Sequence, residues 1–546
     1  MAPPKSSTID PNSGFSSQTK IFHSLRPTIS LPPSTTPFSL PDYVFVLLHH
    51  CPTASLIDAA TRRRIPLSDL PHLVRTLASN LRRKFHLSKG DVVFVLSPNS
   101  IHISVLYLSL LSLGAIVSPS NPLSSASEIS RQIQVSDPAI AFATSEHASR
   151  LPALREGIVI LDSPEFESLL LPVGGQSRDG FVRIEVFQSD TAAILYSSGT
   201  TGKVKGVELS HRNFIAAIAG VHAVRAVRPS PAVTLCAVPC FHVYGFVVCI
   251  REAALGGSVV VVARTNLESI LGAIEEFKVT HLAAAPPTVV AMVKSPAAEK
   301  YDLRSLEAVL CGGAPVANSV IERFRRRFAN ISVLQAYGLT ETTGGITRTV
   351  GLKESEVIGA NGRLISNCQA KIVDPVTGYV GDKEATAAMV DSEGWLRSGD
   401  ICYFDNEGFL FYVDRMKELI KYKGYQVAPA ELEDLLLSHP AIVDAAVIPT
   451  ERMIKFIFCS IKPIHKAMTN SGFRKEQNLH LDMLYSGLHA LPSIRSHAIK
   501  TPNLSDGNDV GNTTTRLRQE KTRAKAIHKE ERQRPLLFSI CAFLFL

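Results

Sequence analysis

The feature that most constrains the fold is a regular alternation of short apolar runs with longer helix-like stretches, which begins at Asp91. The runs DVVFVLSPN, AIAFATS and AAILYS predict strands, whereas ISVLYLSLLSLGAIV and SHRNFIAAIAGVHAV predict helices, the second with Ser210 as its N-cap. Strands that alternate with helices pair in parallel, so the pattern predicts an α/β fold with sheets covered on both faces. Further strand-like runs are TLCAVP, SVVVVA, THLAAAP, EAVLCGG and ISVLQAYG, and further helical stretches are LESILGAIEEFK and SVIERFRRRFA.

Changes in composition divide the chain into four segments. Residues 1–40 are rich in Ser, Thr and Pro, have no apolar signal core, and predict a flexible arm. Residues 41–414 carry the alternation and predict one large domain. The charged stretch DRMKELIKYKGYQVAPAELEDLL then opens residues 415–450, which predict the start of a small, incomplete α+β domain. Residues 451–546 lose the alternation, and we expect a divergent, poorly ordered tail.

Charge and cysteine usage exclude several classes of protein. Of the net charge of +8, a surplus of +5 (eight Lys/Arg against three Glu) lies between Arg516 and Arg534, without the aromatic residues that nucleic-acid binding would require. The nine cysteines are scattered with no Cys-x-x-Cys pair, which favours the reducing cytoplasm over a disulfide framework or a zinc site. The apolar ending PLLFSICAFLFL is too short to span a bilayer, so we expect no transmembrane span.

Polar clusters follow three of the predicted strands. They are SSGTTG, CGGAP and YGLTETT. Ligands of parallel sheets bind at the carboxyl ends of the strands, so we expect these clusters to converge on one cleft.

The first cluster has the composition of a phosphate-binding loop. Ser197–Gly202 offers four side-chain hydroxyls and glycine backbone, and Lys203 and Lys205 add positive charge. An exposed linker is the alternative, although apolar runs bracket the segment closely. A P-loop is excluded, because only two residues separate Gly199 from Gly202 and Val204 stands where the magnesium hydroxyl is needed.

Four other motifs each allow a structural reading when taken alone. QAYGLTETTGG is typical of a turn between a strand and a helix, and His242 in FHVYG of a structural histidine. GWLRSGD, which ends in Asp400, fits either a capped surface turn or a carboxylate that accepts both hydroxyls of a ribose. DRMKELIKYKG fits an amphipathic, solvated helix.

The motifs taken together, in their order along the chain, resemble those of the adenylate-forming acyl-CoA synthetases. The closest resemblance is to plant 4-coumarate:CoA ligases and their ligase-like relatives, and it covers roughly residues 20–450. It implies a large N-terminal AMP-binding domain (residues 41–414) and a C-terminal domain that begins at residues 415–450. It also implies the reaction: a carboxylate attacks ATP-Mg²⁺ to give an acyl-adenylate and pyrophosphate, and coenzyme A then displaces AMP to give a thioester.

The resemblance implies a role for each matching residue. Those for the nucleotide are Ser197, Ser198, Gly199, Thr200, Thr201, Gly202, Lys205, Gln335, Tyr337, Thr340, Asp400 and Arg415, with Glu341 for Mg²⁺. Those for the acid substrate are His242, Tyr244, Gly312, Gly313 and Ala314; His242, Lys421 and Gln426 are expected to be catalytic. Lys417 and Lys421 match adenylate contacts near the hinge, and Arg264, Lys423 and Gly424 match contacts to coenzyme A.

The chain departs from the family pattern in four places. Val204 replaces Pro and Ala336 replaces Gly, and both changes are mild. Gly378 runs directly into Tyr379, where relatives carry about twenty further residues that would supply strands beneath Asp400, so we expect the sheet backbone there to lack ladder partners. The Gly-Lys turn that bears the C-terminal catalytic lysine has no counterpart after Lys203. We therefore expect impaired activity.

The sequence constrains the substrate and the activity less closely than it constrains the family. A hydroxycinnamate-type acid of phenylpropanoid metabolism is the leading expectation, with fatty acids or a jasmonate-precursor acid as rivals. A non-catalytic remnant that binds nucleotide or acid, and an oxygen-dependent luciferase-like enzyme, are rival classes. We expect a monomer in the cytoplasm; peroxisomal relatives often end in Ser-Lys-Leu, whereas this sequence ends in Leu-Phe-Leu.

Overall fold

The computed structural model describes residues 9–48, 53–172, 183–197, 205–373, 390–391, 393–422, 425–437, 442–449, 454–460 and 538–544. The strands are β1 (Phe15–Ser16), β2 (Ile21–His23), β3 (Ser55–Asp58), β4 (Arg64–Pro66), β5 (Val92–Leu96), β6 (Ile116–Ser120), β7 (Ile140–Ala143), β8 (Ile158–Ile160), β9 (Thr191–Ser197), β10 (Lys205–Ser210), β11 (Val233–Cys236), β12 (Ser258–Val261), β13 (His281–Ala284), β14 (Ala308–Cys311), β15 (Ser332–Leu339), β16 (Gly344–Arg348), β17 (Arg363–Leu364), β18 (Cys368–Val373), β19 (Leu396–Phe404), β20 (Leu410–Arg415), β21 (Ile420–Tyr422), β22 (Tyr425–Val427), β23 (Ile442–Pro449), β24 (Ile454–Ser460) and β25 (Phe538–Leu544).

The helices lie between the strands, as the alternation predicts. They are α1 (Leu40–Leu47), α2 (Leu70–Phe85), α3 (Ile101–Ser112), α4 (Ala126–Ser136), α5 (Ser145–Ala148), α6 (Pro164–Leu169), α7 (His211–His222), α8 (Val243–Ala254), α9 (Leu267–Phe277), α10 (Pro286–Lys294), α11 (Asn318–Arg327), α12 (Gly351–Ser355) and α13 (Pro429–Leu437), with 3-10 turns at Pro296–Lys300 and Thr340–Thr342.

Two large sheets form the body of the protein. One has the order β10-β9-β6-β5-β7-β8 and the other β17-β16-β15-β14-β13-β11-β12-β3-β4. The ladders from β9 to β8 and from β15 to β3 are all parallel, whereas β10, β16, β17 and β4 add antiparallel edges. The α/β fold with parallel-rich sheets flanked by helices is therefore confirmed.

Helix α3 shows why the two sheets form one body. It is apolar on every side and buried over most of its length, as expected of a helix that packs between layers. Its few polar groups bond inside the core: Ser109 Oγ donates to the Val105 carbonyl (2.7 Å) and Ser104 Oγ to the Cys249 carbonyl (3.3 Å). These bonds offset the cost of burying hydroxyls.

Helix α7 begins where the sequence predicts. Ser210 caps it: the Ser210 Oγ accepts from the Asn213 N–H (3.3 Å), and the Asn213 side chain accepts from the Ser210 N–H (2.8 Å). This reciprocal cap fixes the direction in which the chain leaves β10.

A third sheet departs from two sequence expectations. Its order is β1-β2-β18-β25-β19-β20. Strand β2 pairs with β18, so the part of residues 1–40 that the structure describes is tied to a sheet and is not a loose arm. The segment Phe538–Leu544 pairs with β18 on one side and β19 on the other. The expectation that the backbone before Asp400 lacks ladder partners is therefore wrong. The division at 414, 415–450 and 451–546 stays a prediction, since much of the last segment lies outside the described residues.

Candidate active site

Strand β9 and the turn after β15 meet at the entrance of the predicted phosphate loop. Ser197 ends β9 and lies opposite Lys205, the first residue of β10, so the two residues hold the ends of the loop together. The Ser197 Oγ donates to the Glu341 Oε1 at 3.1 Å. Ser198, Gly199, Thr200, Thr201 and Gly202 lie outside the described residues. The contact shows that two of the three polar clusters converge, as predicted.

The turn that carries Glu341 depends on a close approach between glycines. A Cβ on Gly338 would lie 1.8 Å from the Gly344 carbonyl oxygen, so any side chain there would force the turn open. Thr340 and Thr342 of the 3-10 turn are buried, and the Thr342 Oγ1 donates to the Gly344 carbonyl at 2.7 Å. Glu341 is thereby held beside Ser197.

The third polar cluster reaches the same cleft through its glycines. A Cβ on Gly312 would lie 3.8 Å both from the Tyr244 ring and from the Ala336 carbonyl oxygen. Gly313 has φ +90°, which favours glycine. The Tyr244 hydroxyl donates to the Leu310 carbonyl at 2.6 Å, which fixes the ring against β14. Tyr244, Gly312 and the strand that bears Gln335 and Tyr337 therefore form one wall.

His242 combines an exposed ring with a structural contact. It caps helix α8, because its Nδ1 accepts from the Tyr244 N–H at 3.3 Å. The ring is exposed. One ring nitrogen of His242 therefore has the structural role expected from the sequence, and the other nitrogen lies on the exposed side of the ring.

The most strongly perturbed carboxyl among the predicted residues is Asp400. It is 2% exposed and accepts at Oδ2 from the Tyr337 hydroxyl at 2.6 Å. The Arg415 Nε lies 3.7 Å from its Oδ1. Burial raises the pKa of Asp400 to about 6, although the Tyr337 bond and Arg415 act in the opposite direction. A carboxyl that is costly to bury and still close to an open edge is typical of a binding residue.

Gln335 is committed to the protein backbone. Its Nε2 donates to the Ala360 carbonyl at 3.1 Å, and its backbone N–H donates to Thr349 Oγ1 at 2.8 Å. The protein backbone therefore fixes the side chain, and its contact with the nucleotide stays a prediction.

The predicted residues of the C-terminal segment are only partly described. Lys421 and Gln426 lie directly opposite each other in the β21–β22 hairpin, while Lys417 and Arg264 are exposed. Lys423 and Gly424 lie outside the described residues, so the coenzyme A set stays a prediction.

Sequence reasoning missed Asp414, which joins the two predicted domains. The Asp414 Oδ2 accepts from the Ala430 N–H in the first turn of α13 at 3.2 Å, and its Oδ1 accepts from the Arg415 N–H at 2.7 Å. Burial raises its pKa. The sequence feature that could have identified Asp414 is its position directly before Arg415, a predicted nucleotide-binding residue.

In the part of the chain that the structure describes, three or more His, Cys, Asp or Glu residues nowhere form a metal-binding cluster. Mg²⁺ bound through a nucleotide needs only one or two carboxylates, because the phosphates supply the other oxygens. Glu341 at the loop entrance fits that requirement. Within the same described ranges, no helix is long and apolar enough to cross a membrane.

Comparison with known proteins decides the family. Residues 49–394 match the family described as AMP-binding enzyme. The chain belongs to the AMP-binding enzymes. It is 45% identical over 478 residues to the Arabidopsis thaliana protein 4-coumarate--CoA ligase-like 9, which covers 81% of this chain and 85% of the relative. It is 40% identical over 475 residues to the A. thaliana peroxisomal OPC-8:0-CoA ligase 1, and this match covers 81% of this chain and 86% of the relative.

Solved structures confirm the fold of this AMP-binding enzyme. A crystal structure of the anthranilate CoA ligase AuaEII in complex with anthranoyl-AMP has a TM-score of 0.70 at 20% identity, and covers 83% of this chain and 91% of that chain. The resemblance to 4-coumarate:CoA ligase-like, adenylate-forming enzymes is therefore confirmed, whereas the roles of individual residues stay predictions.

Proposed function

We propose that this AMP-binding enzyme is an ATP-dependent carboxylic acid:CoA ligase whose acid is of the hydroxycinnamate type. The observation that carries the proposal is the contact of Ser197 with Glu341 at the entrance of the hydroxyl-rich loop. The contact supports the proposal because the carboxylate that would hold Mg²⁺ lies beside Ser197, the first residue of the loop that would bind the phosphates of ATP. Asp400, bonded to Tyr337, would then accept the ribose hydroxyls.

The proposed chemistry needs positioning more than reactive side chains. In-line attack of a carboxylate on the α-phosphate concentrates negative charge on the phosphoryl oxygens. Mg²⁺ supplies neutralising charge there when it is bound. Glu341 would hold the ion, Lys205 would add charge at the loop end, and Tyr244 with Gly312 would border the acid. Fixed groups of this kind stabilise the transition state without reorganisation at the moment of reaction.

A second candidate substrate is a longer acid, such as a jasmonate precursor or a fatty acid. A small cleft of about 20 Å³ opens beside Gly345 and is lined by Ala216 and Ala217 together with Ile29, Leu31, Asn213, Thr342, Thr343, Ile365, Ser366 and Asn367. Its apolar side chains, Ile29, Leu31 and Ile365, would contact an acyl chain that reaches it.

We further propose that this chain is a poor ligase whose residual activity is slow adenylate formation rather than thioester formation. The motivation is that no Gly-Lys pair follows Lys203, so the turn that carries the catalytic lysine in relatives has no counterpart. Loss of one preorganised charged group typically costs on the order of 10²–10³ in rate.

The experiment measures acid-dependent pyrophosphate release and acyl-CoA formation with 4-hydroxycinnamate and with saturated fatty acids. We expect pyrophosphate release to be largest with 4-hydroxycinnamate and to exceed thioester formation. Glu341→Gln should reduce release about a hundredfold, because one neutral amide replaces the ion's carboxylate.

The matched control is Glu356→Gln, which changes an acidic residue outside the predicted site and should leave the rate unchanged. Absence of acid-dependent pyrophosphate release with every acid would contradict the ligase proposal. Thioester formation that keeps pace with adenylate formation would contradict the proposed impairment.

A further inference from the structure

One face of the β15–β16 pair carries an arginine beside the proposed acid pocket. Arg348 lies directly opposite Ala336 in this antiparallel ladder, and opposed residues project to the same side of a sheet. A Cβ on Gly345 would lie 3.5 Å from the Ala336 Cβ, and the Ala336 carbonyl lies against the Tyr244–Gly312 wall. Arg348 therefore shares a face with Ala336, next to the wall proposed for the acid.

Among the described residues, the guanidinium of Arg348 forms no ion pair of its own, although the charge of Glu252 acts on it. The side chain makes no hydrogen bond or ion pair in the described part of the chain, and its Nε is shielded from solvent without a partner. An unpaired buried donor of this kind is costly, because it loses its water without replacement. Such a group calls for an acceptor that is supplied from outside the chain.

Two carboxylates, Glu252, whose charge acts on Arg348, and Glu354 in helix α12, are already bound by other donors. Glu252 accepts from the Arg251 Nε at 2.8 Å and from the Thr234 hydroxyl at 3.1 Å. Glu354 is bound by Arg26 at 2.6 Å and by the Val350 N–H at 2.7 Å. Two guanidinium groups, those of Arg251 and Arg348, thus face one carboxylate, and one positive charge is left over.

The charge persists at neutral pH. Burial, followed by the neighbouring Arg251, lowers the pKa of Arg348 to about 10, which still leaves the group protonated. A guanidinium donates hydrogen bonds and accepts none, so its partner must be an oxygen acceptor.

We propose that Arg348 is a specificity-determining residue that binds an oxygen acceptor at the far end of the acid substrate, and that a carboxylate is its best ligand. This rests on the proposed acid:CoA ligase function, whose substrate class it narrows. The acid presents its reacting carboxyl toward Glu341 and the phosphate loop, and its distal oxygen to Arg348. A para-hydroxyl of a hydroxycinnamate is a weaker acceptor of the same kind, and an unsubstituted ring offers none.

The test uses three acids of one shape: cinnamate, 4-hydroxycinnamate and 4-carboxycinnamate. Their binding to the full-length protein is measured by calorimetry in the presence of AMP, so no turnover is required. We expect 4-carboxycinnamate to bind about ten- to a hundredfold more tightly than cinnamate, as for a charge-assisted hydrogen bond, with 4-hydroxycinnamate between them.

Arg348→Met keeps the length of the side chain and removes the charge. We expect the three affinities to converge within about threefold. Arg348→Lys is measured beside it, because it keeps a charge without the planar fork and should retain only part of the preference. Arg326→Met, at an exposed position on α11, is the matched control and should keep the full preference.

The outcomes separate this proposal from the ligase proposal. An unchanged preference in both Arg348 variants, or equal binding or no binding of the three acids by the wild-type protein, overturns the subsite. Acid preference without any pyrophosphate release would leave the subsite in place and contradict the ligase function. Pyrophosphate release without acid preference would support the ligase function and overturn the subsite.

Discussion

Replacement of Asp400 by Asn is expected to stabilise the free protein while it weakens nucleotide binding. Asp400 is 2% exposed, and burial raises its pKa to about 6 from a model-compound value of 3.8. The folded state therefore holds a proton that the unfolded state releases between these pH values. Stability contributed by this group is present at low pH and is lost as the pH rises from about 4 to about 6.

The magnitude follows from the size of the shift. A shift of about two pH units corresponds to about 3 kcal/mol at pH 8, at roughly 1.4 kcal/mol per unit. Asn removes the charge and keeps an oxygen that can accept from the Tyr337 hydroxyl. The variant should exceed the wild type in free energy of unfolding by up to about 3 kcal/mol at pH 8, and by less than about 1 kcal/mol at pH 4.

Binding of AMP should change in the opposite direction. A carboxylate accepts from ribose hydroxyls more strongly than an amide does, so Asp400→Asn should weaken AMP binding about tenfold or more at pH 8. In the wild type, affinity should fall below pH 6, because the proton must leave Asp400 before the hydroxyls can donate to it.

Urea unfolding at pH 4, 6 and 8, together with AMP titration at each pH, measures both effects. Glu407→Gln, in an exposed ion pair with Arg363, is the control and should change stability by less than about 1 kcal/mol. A difference between Asp400→Asn and wild type that is equal at pH 4 and pH 8 would refute the raised pKa. Unchanged AMP affinity would refute the role in binding ribose.

Two further perturbations test the third sheet and the phosphate loop. Deletion of residues 538–546 removes β25, whose backbone pairs with both β18 and β19. At roughly 0.5–1.5 kcal/mol per hydrogen bond, the deletion should lower the free energy of unfolding by at least about 3 kcal/mol. An unchanged urea midpoint would contradict the pairing. Lys205→Ala should weaken ATP binding several-fold and AMP binding less, because the exposed ammonium at the loop end would act on the outer phosphates; equal loss for both nucleotides in calorimetry would exclude that role.

The parts of the fold that the sequence predicts are those that local pattern determines. Strands β5, β7, β9 and β11–β14 are largely apolar runs, as is typical of parallel sheets that are covered on both faces. Helix α7 is marked by Ser210, whose capping hydroxyl is a local signal. Ser197 and Glu341 each lie at the carboxyl end of a parallel strand, where ligands of such sheets bind, but β9 and β15 belong to different sheets, so their contact also depends on how the two sheets pack together.

The parts that escaped prediction depend on pairing between distant segments. Strands β1 and β2 are too short for an alternating pattern, and their stability comes from pairing with β18, more than three hundred residues away. The insertion of β25 between β18 and β19 has the same cause. An apolar run indicates that a strand can form, but it does not indicate which sheet edge the strand will join.

Arg348 escaped sequence reasoning for a different reason, whereas Asp400 was expected in the site and only its burial was not. Asp400 and Arg348 are rare as buried residues, and each costs folding free energy unless a partner neutralises it. Strand β15 separates them: Tyr337 projects toward Asp400, and the preceding Ala336 shares its side of the sheet with Arg348. Alternation along one strand therefore assigns a carboxylate to one face and a guanidinium to the other. The two charges therefore belong to separate subsites: Asp400 to the predicted ribose contact, and Arg348 to the proposed acid subsite.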